Sequence, residues 1–138
     1  MKRIVASIVF TLMFVASFVP LQIHASEIEQ NQAEPRTGII LIIEMYNLAK
    51  EQGTESPWGH STQTSGNSLP VSGEGGYTSK DLVKDGQLVQ RRYYDGEGKA
   101  DMDIDYTDHG NPGQHPKVPH RHDWYWPPSG PPSRGPGY

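Results

Sequence analysis

Two Asp-Gly pairs, Asp85-Gly86 and Asp95-Gly96, stand ten residues apart between segments rich in apolar and aromatic side chains. An Asp-Gly pair between such segments is the strongest short-range hairpin signal, because both residues tolerate the positive φ that a tight turn needs. Three antiparallel strands follow, at roughly 80–85, 87–95 and 99–107. The third alternates most cleanly. Ala100, Met102, Ile104 and Tyr106 fall on one face, and Asp101, Asp103, Asp105 and Thr107 on the other. The expected architecture is α+β: a small antiparallel three-stranded meander with one short preceding helix and a His-rich loop after its last strand.

The chain has no cysteine, so no disulfide compensates for a small core. Stability has to come from packing, a metal or a partner. Fifteen glycines and twelve prolines confine regular packing to part of the 138 residues.

The flanking segments read differently. Lys2 and Arg3 precede an apolar run from Ile4 to Val19, then Pro20 and a polar stretch to Ala25. This is the pattern of a cleaved export signal over residues 1–25, which implies a secreted or extracytoplasmic protein with no stable membrane insertion after cleavage. Residues 26–37 show no periodicity. Over 38–50, the positions Ile39, Ile42, Ile43, Tyr46 and Ala49 share a helical face, although a run this short also fits a buried strand. A helix here either packs on the C-terminal domain or meets a partner. Residues 51–76 have the composition of a flexible linker, and 127–138 that of a Pro/Gly-rich tail.

Four histidines, His109, His115, His120 and His122, lie in the Pro/Gly-punctuated stretch after the third strand. If His120-Arg121-His122 is extended, its two imidazoles point the same way. Three chemistries fit. In the first, His120 and His122 hold a divalent metal such as zinc, with His115 or His109 as a third ligand, Asp105 as a candidate further one and an open position for water. In the second, which needs no cofactor, His109, His120 and His122 supply acid and base while Arg92 steadies a phosphate. In the third, the rings cap turns. Arg121, Tyr94 and Trp124 are candidate substrate contacts. Tyr93, Tyr106, Tyr125 and Trp126 either join them in stacking on a base or sugar, or fill a core. The Asp101/Asp103/Asp105 row needs cations, either Arg91 and Arg92 across the sheet or a metal shared with Asp108. An aspartate that reaches a loop histidine would fix that ring's tautomer.

Several of these residues recur together: Arg92-Tyr93-Tyr94-Asp95-Gly96-Glu97-Gly98, then Asp103-Ile104-Asp105-Tyr106-Thr107-Asp108-His109-Gly110, His115-Pro116, and Pro119-His120-Arg121-His122-Asp123-Trp124. This joint pattern, over about residues 77–126, resembles the small C-terminal domains of bacterial polymorphic toxins of the RHS-associated type. The resemblance implies a ribonuclease that cleaves RNA phosphodiester bonds, and an immunity protein as partner. It marks Arg92, Tyr94, Asp103, Asp105, His109, His115, His120 and His122. The chain differs from that context in carrying its own leader and no long delivery module. Its formal charge of -4 also runs against a nucleic-acid enzyme, whose affinity rests on neutralising phosphates. A nuclease here needs local cations or a metal beside the carboxylates.

Overall fold

The computed structural model describes residues 26–115 and 117–138, with side chains from Arg36 onward. The expected export signal lies outside the described residues. One helix, α1 (Ser26–Gln52), precedes six strands: β1 (His60–Gln63), β2 (Ser79–Lys84), β3 (Gln87–Tyr94), β4 (Ala100–Asp105), β5 (His120–Tyr125) and β6 (Ser133–Arg134). They form one sheet in chain order, with β1 parallel to β2 and every other neighbour antiparallel.

The three-stranded meander expected from the sequence is therefore corrected to a six-stranded mixed sheet. Its strands are present as β2–β4, but they form only the middle. Asp85 (φ 52°) and Gly86 (φ 77°) make the first turn. The Asp95 carboxylate organises the second, accepting from the Glu97 and Lys99 amides. The missed strands lack an apolar period. β1 is His-Ser-Thr-Gln and gains its place through backbone pairing with β2. β5 hides its alternation behind His-Arg-His. β6 lies in the Pro/Gly-rich tail. Residues 51–76 also carry more than a linker's contacts, since Ser56 and Leu69 are buried and Ser72 bridges Lys99.

The helix is longer than the short one expected over 38–50. It ends in a Schellman motif, with Gly53 at φ 71° and the Thr54 amide donating to the Ala49 carbonyl at 3.0 Å. Of the face expected to be apolar and buried, Tyr46 and Ala49 are buried, while Ile39 and Ile43 are exposed. Among the described residues, no helix is long and apolar enough to cross a membrane.

Tyr46 and Ala49 pack with Tyr93, Met102 and Ile104, and Tyr77 and Tyr106 lie against them. The Tyr93 hydroxyl donates to the Thr54 carbonyl at 2.6 Å, tying the helix end to the sheet. A register shift opposite Tyr93/Tyr94 turns Asp101 to the helix side. There it accepts from Tyr46 Oη (2.8 Å) and Lys50 Nζ (2.5 Å). Asp101 is thus separated from Asp103 and Asp105, which face the other side. That second face is also covered, by residues around Leu69 and by the tail, and both carboxylates are 0% exposed.

Met102 is the test of this core. Met102→Ala leaves a cavity between helix and sheet and is expected to cost about 2–5 kcal/mol in urea unfolding. A loss below about 1 kcal/mol would mean that the helix does not seal this face.

Candidate metal centre

Strands β4 and β5 bring the site together by their register. Asp103 lies opposite His122, and Asp105 opposite His120. Period-2 alternation puts all four on the face away from the helix. Arg92 on β3 lies opposite Asp103, and Gln90 opposite Asp105. After β4, the His109 and His115 rings lie beside His120, with centroids 5.6 and 4.7 Å from it. His120 and His122 are 5.0 Å apart.

Two carbonyls set the tautomers. His120 Nδ1 lies 3.1 Å from the Lys117 carbonyl oxygen, and His122 Nδ1 lies 2.8 Å from that of Gly135. A carbonyl only accepts, so each Nδ1 carries a proton and each neutral ring presents its lone pair at Nε2. Those two Nε2 atoms are buried and have no hydrogen-bond partner among the described residues. They lie 3.6 and 3.4 Å from Asp105 Oδ2. Lone pairs turned toward a carboxylate oxygen call for a positive group between them. Burial lowers the pKa of His120, against its taking up a proton. The candidate ligand atoms of His115, His120 and His122 all lie within 4.8 Å of one another, as do those of Asp105, His109 and His120. Three imidazoles, two of them with rings anchored on backbone carbonyls, suit zinc or a similar ion.

The surroundings of Asp105 are dense. Its Oδ1 accepts from Gln90 Nε2 at 2.7 Å. Its Oδ2 accepts from His109 Nε2 at 2.7 Å and from Arg134 Nη2. Burial alone would raise the Asp105 pKa, but Arg134, Gln90 and His109 outweigh it and hold the carboxyl below its ordinary range. His109 thereby spends Nε2 on Asp105. The tail closes the site from above. A Cβ on Gly137 would lie 3.1 Å from both the His120 and His122 rings, so a residue without a side chain lets the chain rest on them. A pocket of about 210 Å³ opens beside the cluster, lined by Gln114, His115, Lys117, His120, Gly137 and Tyr138.

The other residues singled out from the sequence lie elsewhere or are committed. Arg92 makes a bidentate pair with Asp103 (2.6 and 2.8 Å), donates to the Leu69 carbonyl (2.7 Å) and stacks on Trp124. It is buried and does not reach the pocket. Tyr94 is fully buried and donates to the Pro70 carbonyl. Arg121 alternates to the helix side and donates to the Glu51 carbonyl. Asp108 accepts from the Gly110 amide, within its own turn. Arg91 pairs with Asp81, not with the aspartate row. Two contributors were missed: Arg134, concealed in a tail of turn-forming residues, and Gln90. Period-2 counting along 88–92 would have placed Gln90 on the Arg92 face.

A second cluster of candidate ligands, Glu55, His60 and Asp81, lies on the helix side. Arg91 already holds Asp81 there through two bonds of 2.7 Å, so its charge is met internally. Comparison with protein-family models, curated proteins and solved structures gives no match to this chain.

Within the His–Asp cluster the two resolved shifts have one sign. His120 and Asp105 bind protons less readily folded than unfolded. Their contribution to stability is therefore complete above the unfolded pKa values, about 6.5 and 3.9, and is lost as pH falls through the lower folded ones. Metal-free protein should lose stability in two stages on acidification, starting below about pH 6.5 and below about pH 4. Asp105→Asn should remove the second stage. Urea unfolding across this range checks it, and stability that rises from pH 7 to pH 5 would contradict the assignment.

Proposed function

We propose that the chain is a hydrolase whose metal centre, held by His115, His120 and His122, cleaves phosphodiester bonds in RNA. The observation that carries this is the pair of buried, unpartnered Nε2 lone pairs beside Asp105, next to an open pocket. A divalent ion there supplies a Lewis acid and brings the pKa of a bound water near neutrality. Lys117 and Gln114 at the pocket are placed to attract and hold a phosphate. His109, 40% exposed, keeps Asp105 oriented through its Nε2.

The choice of RNA rests on the resemblance to toxin tips over 77–126, and so does an immunity protein as partner. Export depends on the leader read at 1–25. One observation favours a second reading, a non-catalytic metal-binding module. Arg92, Arg121 and Arg134 are all committed within the fold, which leaves Lys117 as the cationic side chain lining the pocket.

Metal analysis and an RNA assay on the same purified protein separate the two. The expected result is one zinc per chain, with RNA cleavage that stops on chelation and returns with zinc. His120→Ala and His122→Ala should each weaken zinc binding by more than about 100-fold, beyond the 10–100-fold typical of groups that only support a ligand. One zinc per chain without cleavage would leave the binding module. Full RNA cleavage by the doubly substituted protein would exclude the histidine site altogether.

A further inference from the structure

The Arg134 guanidinium occupies the place where a metal's charge would be needed. Its Nη2 bonds to Asp105 Oδ2, the same oxygen that His109, His120 and His122 face. Its Nε lies 2.8 Å from Asp103 Oδ2, without the alignment of a hydrogen bond. The buried carboxylates thus have two guanidiniums, with Arg92 held on Asp103 alone and Arg134 shared between them. Arg92 is locked by carbonyls and by Trp124. Arg134 is not: its side chain is 27% exposed and so has a way out to solvent.

We propose that Arg134 is an internal cation that competes with the metal for Asp105, so that this carboxylate becomes a ligand only when the Arg134 side chain swings away. The inference rests on the metal centre described above. It concerns the side chain and not the strand. The tail backbone favours the site, because the Gly135 carbonyl orients His122 and Gly137 lies against both rings. Backbone pairing of Tyr138 with Arg121 holds that strand independently of Arg134. Three imidazoles then form a standing site of moderate affinity, and Asp105 adds a fourth ligand when its guanidinium leaves. The competition is reciprocal, so a bound metal weakens the Arg134–Asp105 pair by the factor by which that pair weakens metal binding.

The test is a zinc titration of the full chain against a chromophoric chelator, with the parent, Arg134→Gln and Arg134→Lys. Arg134→Gln should raise zinc affinity about tenfold or more, a common size for a coupling between two sites. Arg134→Lys keeps the charge and should stay within about threefold of the parent. Adding Asp105→Asn to Arg134→Gln should cancel the gain. Side-chain NMR of the parent gives a reading that needs no stable variant: the Arg134 guanidinium protons should be protected without zinc and exchange rapidly with it. Unchanged or weaker zinc binding in Arg134→Gln, or guanidinium protons that stay protected with zinc bound, would overturn the competition while leaving the histidine centre intact. If neither parent nor variant binds zinc, the metal centre itself is wrong and the competition falls with it.

Discussion

Two carboxylates, Asp103 and Asp105, lie side by side on one strand with no exposure to solvent. Charges taken out of water cost several kcal/mol each unless they are paired and hydrogen-bonded. The fold on this face follows from meeting that cost. Arg92 reaches Asp103 and, through its remaining donors, draws the Leu69–Pro70 segment over the sheet. Arg134 reaches both from the C-terminal strand, which backbone pairing with β5 holds in place. Gln90 and His109 complete the shell of Asp105. The helix face depends on apolar packing. The polar face, with no disulfide to assist it, depends on this exchange of charge.

The proposed metal site grows from the same arrangement. A neutral imidazole beside a carboxylate normally donates to it, as His109 does. His120 and His122 cannot, because backbone carbonyls have claimed their Nδ1 protons. Their lone pairs consequently converge near a negative oxygen, an arrangement that gains from a cation. Of the chemistries open to this histidine stretch, turn capping describes the Nδ1 atoms well and leaves the Nε2 atoms unexplained. Catalysis with Arg92 as phosphate contact is disfavoured by the burial of that guanidinium. Metal binding accounts for both ring nitrogens at once.

The sequence was most legible where side-chain period and turn chemistry agreed. The two Asp-Gly turns placed β2, β3 and β4, and alternation put Met102 and Ile104 opposite Asp103 and Asp105. Asp101 departed from that pattern because a register shift rotates it toward Lys50, which no local period reveals. β1, β5 and β6 escaped because polar residues make up most of them and their pairing is through backbone. The four histidines were legible as a cluster, and His120 and His122 as one face if extended. Their tautomers were not, since the carbonyls that fix them belong to Lys117 and to Gly135, one of them in the tail. Arg134 had no signal of its own: a single arginine among prolines and glycines acquires its role only when the tail lies beside β5.

Whether three imidazoles meet at one ion is read from X-ray absorption at the zinc edge of the loaded protein. With no cysteine in the chain, the shell must be nitrogen and oxygen. The spectrum should show four-coordinate zinc with three imidazole nitrogens at about 2.0–2.1 Å and their ring scattering, plus one oxygen. A spectrum of six oxygens with no imidazole scattering, or with a single imidazole, would contradict it.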